Sequence, residues 1–414
     1  MIPYEHFVLE NGLRVYVIED ASSPLVCVNV LYDVGARDED PELTGFAHLF
    51  EHLMFGGSVN IPNYDEPLQR VGGDNNAFTT NDLTNYYCTV PAENIETAFW
   101  LESDRMLSLA FTPKSLDVQR QVVIEEFKQR YLNQPYGDVW LLLRPLVYKK
   151  HPYQWATIGK SIAHIEQASM DDVKAFFKNF YTASNAILVV CGKVTLQQVR
   201  QLSETWFSAI PAHTVKRPLR LAEPIQTEAR KLEVHRDVPA NALYRAYRMC
   251  ARKDPQYPAV DVLSDILGRG NSARLYNNLV LQKSIFSDVS CYVTAEDDPG
   301  LLIISGKLMP GISFQQAELE LDSVLQVLCT TLVNEAELLK CIRKYESSLR
   351  FSSTDIMNKA SHLAIYAWMG HPEWINTEFS KYELLTPQDI TDAAISVLNP
   401  KSCSTLYYYA KAST

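Results

Sequence analysis

Two histidines and a glutamate lie within five residues of this chain, in the run His48-Leu49-Phe50-Glu51-His52. Apolar residues around them follow a helical period, and side chains four positions apart lie on one face of a helix. His48 and His52 can therefore bind one metal ion, while Glu51 lies beside that face, close enough to act on a metal-bound water. This arrangement suits zinc-assisted hydrolysis. The alternative is that both imidazoles are ordinary polar side chains on a helix surface.

The residues that flank this run predict where the helix begins and ends. Thr44 precedes the apolar residues and is of a type that caps helix N-termini. Gly56 and Gly57 follow them, and glycine commonly ends a helix. The predicted helix therefore contains both histidines and the glutamate.

A catalytic zinc ion usually takes three protein ligands and leaves one position for water, so a third ligand is needed. A later amphipathic helix carries two adjacent carboxylates, Glu125 and Glu126. On a helical period, Glu126 falls on the inward stripe with Val122, Val123 and Phe127, and Glu125 falls at its edge. A buried carboxylate needs compensation, which a metal ion would supply. The alternative is an exposed acidic helix.

Strand and helix patterns are mixed along the chain, which predicts an α+β fold of mostly antiparallel sheets packed with helices. The predicted elements of the first half, besides the motif helix, are strands at 7–9, 13–18, 25–32, 76–90 and 186–190 and helices at 93–109, 115–132 and 169–180. A stretch from Pro211 to Pro224 lacks periodicity and is typical of a linker.

The order of elements starts again after this stretch, with strand patterns at 230–235 and 242–249 and a helix pattern at 258–267. The repeat predicts two homologous domains that arose by internal duplication. Where the motif should recur, the second copy, from Ala259 to Ile266, contains no histidine. The predicted organisation is a zinc-binding catalytic domain, a linker and a homologous domain without a metal site, at 1–212, 213–227 and 228–414.

Composition narrows the class of protein. In 414 residues, 47% are hydrophobic and 21% are charged, and no apolar run is long enough to span a membrane. A net charge of −11 disfavours nucleic acid as a partner and favours neutral or cationic peptides. The eight cysteines form no Cys-x-x-Cys pair, so neither a thiolate zinc site nor a disulfide framework is expected. The N-terminus predicts a strand and no signal peptide, so we expect a cytoplasmic protein, or a periplasmic one if a leader was removed.

The motif and its context resemble the inverted zinc-peptidase family of pitrilysin, insulin-degrading enzyme and mitochondrial processing peptidase. Each sequence match is weak by itself, but the ordered set is specific and spans nearly the whole chain. The matching segments are 45–52, 75–79, 84–87, Glu126, 133–137 and 151–153.

The resemblance implies a zinc endopeptidase that hydrolyses short or unfolded peptides, with one zinc ion per chain. His48, His52 and Glu126 would bind the zinc ion. Glu51 would take a proton from the zinc-bound water as it attacks the scissile carbonyl.

The resemblance also implies that a peptide substrate is added as an extra strand along an edge strand of the sheet. The matching residues of this chain, which we expect to bind substrate, are Asn76, Ala77, Phe78 and Thr79. The alternative is that Asn76 only ends a loop.

Three positions depart from the family pattern. Gln119 stands two helical turns before Glu126, where the family usually has an acidic residue that supports the metal site, so zinc binding is expected to be weaker. Val280 and Ser287 stand where active single-chain members present an arginine and a tyrosine to the substrate.

The length matches the short class of the family, which assembles its chamber from two subunits. We therefore expect a homodimer, or a heterodimer with a homologous subunit that carries the Arg/Tyr pair. The alternative function is a catalytically weak or inactive binding or scaffold subunit of the same fold that needs a partner subunit for activity.

Overall fold

A computed structural model describes residues 1–411, and the chain divides into two compact units. The first unit comprises Met1–Gln129, Trp155–Arg220 and Leu349–Thr377. The second comprises Arg130–Gln154, Leu221–Ser348 and the chain from Glu378 onward. Each unit combines one sheet with packed helices, which confirms the predicted α+β fold.

The first unit contains a six-stranded sheet. Its strands are β1 (Glu5–Val8), β2 (Arg14–Glu19), β3 (Leu25–Tyr32), β4 (Asp74–Thr79), β5 (Thr84–Pro91) and β6 (Ala186–Gly192). Their order is β1-β2-β6-β3-β5-β4, with β2 and β6 parallel and all other neighbours antiparallel. Strands β3 and β6 are nearly continuous apolar runs because both of their faces are buried.

The prediction of one strand from 76 to 90 is wrong, because the chain reverses between Thr80 and Leu83 to form a hairpin. The Thr80 hydroxyl accepts from the amides of Asp82 and Leu83, which stabilises the turn. Polar residues that bond their own backbone are typical of turns, and this signal lay in the sequence. The reversal leaves β4 at the sheet edge, paired only with β5 among the described strands.

The second unit contains a five-stranded sheet in the order β7-β11-β8-β10-β9. Its strands are β7 (Arg230–Arg236), β8 (Ala242–Arg248), β9 (Phe286–Val293), β10 (Leu301–Leu308) and β11 (Cys403–Ala410). The order and the single parallel pair match β2-β6-β3-β5-β4 of the first sheet. The two sheets therefore confirm the predicted duplication.

Fourteen α-helices lie within residues 1–411. They are α1 (Phe46–Leu53), α2 (Asp65–Arg70), α3 (Ile95–Leu107), α4 (Pro113–Phe127), α5 (Val139–Val147), α6 (Ile162–Gln167), α7 (Met170–Phe180), α8 (Leu196–Phe207), α9 (Tyr257–Gly268), α10 (Phe314–Thr330), α11 (Glu335–Ser352), α12 (Ile356–Trp368), α13 (Trp374–Glu383) and α14 (Pro387–Val397). A π-helical turn, Lys128–Leu132, continues α4. No helix in this part of the chain has both the length and the apolar character of a membrane span.

One helix of each half packs in the unit formed mainly by the other half. Helix α12 packs on β3 and β6, where Ala360 and Leu363 are fully buried. Helix α5 packs in the second unit, where Leu143 joins a core with Leu406. The compact units thus differ from the contiguous halves 1–212 and 228–414, because each sheet buries apolar surface against a helix that is distant in sequence.

The predicted boundaries describe the homologous halves of the sequence and not the compact units, and they stay a prediction. The predicted linker, 213–227, lies within a stretch from 208 to 229 that contains neither helix nor strand. The division between the compact units, after Arg220, falls in the same stretch.

Helix α1 begins one residue later than the sequence suggests, and the prediction of Thr44 as its N-cap is wrong. Gly45 takes the N-cap position with a φ of 91°. The amides of Gly45 and Ala47 each donate to the carboxylate of Glu39 at 2.9 Å. Glu39 therefore supplies the acceptor that helix N-termini require.

Thr44 has another role, because it is fully buried and its hydroxyl is already engaged. Its Oγ1 accepts from the Lys160 amide at 2.8 Å and lies 2.9 Å from Nδ1 of His164. At the other end of α1, the Gly56 amide donates to the Leu53 carbonyl, so the predicted glycine lies just beyond the last turn.

We expect Gly45→Ala to destabilise the protein by about 2–5 kcal/mol, through a strained backbone and overpacking. A Cβ at Gly45 would lie 2.5 Å from Cδ1 of Ile165 and 2.7 Å from the Ile158 carbonyl oxygen. Gly370→Ala is the matched control, because Gly370 has a φ of 87° and a methyl group added there would meet no atom within 4 Å. Urea denaturation should show the larger loss for Gly45→Ala, and equal losses would contradict the packing argument.

Candidate metal centre

Two helices bring the three predicted metal ligands together. His48 and His52 project from α1, and Glu126 projects from α4, which packs against α1. Nε2 of His52 lies 3.4 Å from Oε2 of Glu126, and Nε2 of His48 lies 3.7 Å from the same oxygen. A ligand atom of each residue lies within 4.8 Å of the other two. In residues 1–411 this is the one group of three such side chains that could hold a metal ion.

The donor set and its spacing fit a zinc ion. Two imidazole nitrogens and one carboxylate oxygen are a usual catalytic zinc set, which leaves one position for water. In a tetrahedral site with bonds of about 2 Å, neighbouring donor atoms are about 3.3 Å apart. The observed 3.4 and 3.7 Å are close to that value, and both exceed the usual length of an N–H···O hydrogen bond.

The remaining faces of α1 belong to the core. Phe50 is fully buried and its ring stacks on Phe176 of α7 and on Tyr181, with centroids 4.9 and 5.3 Å apart. Leu49 is also fully buried. These contacts anchor α1 by its apolar face, so the face that carries both histidines is oriented by packing.

Helix α4 positions Glu126 in a similar way, with one difference from the predicted stripe. Val123 and Phe127 are buried, whereas the prediction that Val122 faces inward is wrong, since it is 44% exposed. The Glu126 side chain is 18% exposed. Glu125 is exposed and pairs with Lys128 at 2.7 Å. The alternative of an exposed acidic helix therefore describes Glu125 and not Glu126.

Glu51 lies outside this ligand group and contacts the edge strand. Oγ1 of Thr79 donates to Oε2 of Glu51 at 2.5 Å. The buried hydroxyls of Tyr86 and Tyr181 lie 3.1 Å apart. Burial raises the pKa of both tyrosines, and the negative charge of Glu51 adds to the rise. Glu51 is thus a carboxylate beside the ligand group, close to two tyrosines that stay protonated.

The predicted substrate-binding residues lie on β4, at the free edge of the first sheet. In the part of the chain that the structure describes, Asn76, Ala77, Phe78 and Thr79 pair with β5 and with no other strand. The alternative that Asn76 ends a loop is wrong, because Asn76 is the third residue of β4. Substrate binding by these four residues stays a prediction.

The three positions that depart from the family pattern are also located. Gln119 lies on α4, seven residues before Glu126 and partly buried. Val280 packs against the core of the second unit. The exposed Ser287 donates from its hydroxyl to the Lys307 carbonyl at 3.3 Å. None of the three offers a cationic or phenolic side chain.

In the second unit, α9 occupies the place in the strand order that α1 has in the first. It carries no histidine, and its Asp261 accepts a hydrogen bond from the Tyr382 hydroxyl at 2.7 Å. The absence of a metal site from the second copy stays a prediction.

Sequence reasoning missed two supports of the site. Glu39 holds the N-terminus of α1, and burial raises its pKa to about 8 although its two N–H donors act in the opposite direction. Arg105 is fully buried, forms an ion pair with Glu102 and lies 4.6 Å from the Tyr86 ring centroid. The sequence did contain a signal for the ion pair of Arg105 with Glu102, because the two residues lie three positions apart on an otherwise apolar helix face.

Family models match both halves of the chain. Residues 14–142 match the model described as insulinase (peptidase family M16), and residues 167–355 match the one described as peptidase M16 inactive domain. The first match includes His48, Glu51, His52 and Glu126. The second match includes α9, the helix without a histidine.

Curated relatives include the zinc protease PqqE of Helicobacter pylori, which is 32% identical over 81% of this chain and 77% of the relative. The probable mitochondrial-processing peptidase subunit beta of Arabidopsis thaliana is 26% identical over 64% of this chain and 50% of the relative.

Solved structures include a protease from Helicobacter pylori, with a TM-score of 0.93 and 27% identity over 99% of this chain and 100% of that chain. A peptidase M16 inactive domain from Pseudomonas fluorescens has a TM-score of 0.88 at 18% identity, over 100% of this chain and 99% of the other. The second likeness concerns the fold alone. Both family models, the identity to PqqE and the shared fold agree that this chain belongs to peptidase family M16.

Proposed function

We propose that the chain is a zinc-dependent endopeptidase subunit that hydrolyses short or unfolded peptides. The observation that carries the proposal is the convergence of His48, His52 and Glu126 at distances suited to one metal ion. The relatives named zinc proteases support it.

In the proposed mechanism, His48, His52 and Glu126 hold one zinc ion per chain. When bound, zinc would act as a Lewis acid on the scissile carbonyl and lower the pKa of water. Glu51 accepts a proton from the attacking water on its carboxylate and delivers it to the leaving amine nitrogen. The free edge of β4 binds the peptide as an added strand, which aligns the scissile bond beside Glu51.

The catalytic apparatus of the chain by itself lacks one part. Val280 and Ser287 provide neither positive charge nor a phenol for the substrate carbonyl, whose charge develops in the transition state. A homodimer would repeat Val280 and Ser287 in its second subunit. We therefore propose that the groups come from a homologous chain that carries an Arg/Tyr pair, in a heterodimer. The second candidate function, a weakly active or inactive binding subunit, is favoured by the same two positions.

Glu51→Gln should retain one zinc ion per chain and lose peptide cleavage, because the amide cannot accept the proton. His48→Ala should lose both zinc and cleavage. Metal analysis and hydrolysis of an unstructured fluorogenic peptide, with and without a chelator, measure these outcomes. Cleavage by Glu51→Gln at the parental rate would show that Glu51 is not the base.

Glu126→Gln should weaken zinc binding by about a hundredfold or more. Mutation of residues that only hydrogen-bond to metal ligands already lowers metal affinity about 10–100-fold, and Glu126 is proposed as a ligand itself. Glu125→Gln is the matched control, because the adjacent carboxylate is exposed and contacts Lys128 instead. Zinc competition titrations compare the two variants. Equal affinities would remove Glu126 from the ligand set.

Cleavage by the isolated chain should be slow and should rise when a homologous subunit with an arginine and a tyrosine at the positions of Val280 and Ser287 is added. Loss of an oxyanion-stabilising donor typically lowers kcat by about 10²–10³-fold, which sets the scale of the expected rise. Co-purification identifies the partner, and peptide hydrolysis by the reconstituted pair measures the effect. No chelator-sensitive cleavage with any partner would favour the binding subunit.

A further inference from the structure

The hydrogen bond between Thr79 and Glu51 joins two parts of the candidate site that are 28 positions apart in the chain. Thr79 is the last residue of β4, and Glu51 lies on α1. The Thr79 hydroxyl donates to Oε2 of Glu51 at 2.5 Å. The donor thus belongs to the strand that we propose binds peptide, and the acceptor is the proposed base.

Backbone pairing holds Thr79 in place. It pairs with Thr84 across the hairpin, and the adjoining turn is closed by the Thr80 hydroxyl. Thr79 is β-branched, so its χ1 has few alternatives on a strand. A donor on a rigid strand end can restrict a carboxylate at the end of a long glutamate side chain.

The surroundings of Glu51 bear on how a hydrogen bond from Thr79 restrains its carboxylate. The nearby Tyr86 hydroxyl lies 3.1 Å from the Tyr181 hydroxyl, and both side chains are buried in an aromatic core. Glu51 itself is only partly buried and projects from a helix whose other faces are packed. The Thr79 bond therefore restrains a carboxylate that projects away from the packed faces of its helix.

We propose that Thr79 is a positioning residue that holds the Glu51 carboxylate and links it to the peptide-binding strand. This inference rests on the proposed function for its catalytic consequence. A peptide that pairs with β4 and the carboxylate of Glu51 are then positioned by the same rigid strand. Thr79 then acts through Glu51 and not by contact with the reacting atoms.

The isosteric variant Thr79→Val removes the hydroxyl and retains the β-branched shape. We expect kcat to fall about 10–100-fold, because a hydrogen bond to a charged group is lost and the base is misplaced. We expect KM and zinc content to stay within about twofold, since neither β4 pairing nor the metal ligands change. Thr79→Ser retains the hydroxyl and should restore most of kcat.

Thr80→Val is the control for structural damage. The Thr80 hydroxyl makes three hydrogen bonds in the adjoining turn and none to Glu51 among its described contacts. This variant should lower the melting temperature more than Thr79→Val does, without the selective loss of kcat. Similar losses of kcat in both variants would assign the effect to the hairpin fold and overturn the proposal.

Crystal structures of the zinc-loaded wild type, Thr79→Val and Thr79→Ser give a readout that does not depend on activity. The Glu51 carboxylate should move by about 1 Å or more in Thr79→Val and return in Thr79→Ser. An unmoved carboxylate in Thr79→Val overturns the proposal even if activity falls. If the wild type shows no chelator-sensitive cleavage with any partner, the proposed function fails, and the carboxylate position still decides the role of Thr79.

Discussion

The packing of α1 against α4 is the contact on which the candidate site depends. It brings two imidazoles from one helix and a carboxylate from another within 3.4–3.7 Å, and a metal site tolerates errors of only about 0.5 Å. Helix α1 is restrained at its N-terminus by Glu39 and along its apolar face by the aromatic rings of α7. The largely buried carboxylate of Glu126 is unfavourable without a counter-charge, and a zinc ion is the compensation that this geometry suits.

The duplicated sheet places a helix at corresponding positions of both halves, but only the helix of the first half carries histidines. The order β2-β6-β3-β5-β4 of the first sheet matches that of the whole second sheet, and in both a helix follows the central strand of these five, β3 or β8. The backbone position is therefore available twice, but α9 carries two aspartates and no histidine, and one of the aspartates, Asp261, is bonded to Tyr382. The side chains decide the chemistry, and the fold alone does not.

The edge strand β4 connects architecture with the proposed mechanism. The hairpin that places β4 at the edge also brings Thr79 to Glu51, and the next strand supplies Tyr86, whose hydroxyl lies 3.1 Å from that of Tyr181. The ion pair of Arg105 with Glu102 is buried against the Tyr86 ring. Removing either member of such a pair leaves an uncompensated buried charge, so this support is sensitive to substitution.

Much of the fold and the identities of the candidate ligands could be predicted from sequence. Helix α1, the strands β2, β3 and β6 and the repeat of elements follow from apolar periodicity, which is a local property of the chain. The pairing of Glu126 with the two histidines followed from its place on a helical stripe and from family resemblance. The turn residues near Thr80 indicated a hairpin. The strand pattern from 76 to 90 is nearly uninterrupted, so it predicted one strand instead.

What the sequence by itself determined is therefore the identity of the candidate ligands and the class of fold, because residue types and periodicity are local. Only the tertiary structure decided that Gly45 and not Thr44 caps α1, that Val122 is exposed, and that α5 and α12 pack in the units formed mainly by the opposite halves. The contacts of Glu39 and Thr79 were decided there as well. Burial and hydrogen bonding between distant segments depend on how whole elements pack, and a local pattern carries no information on that.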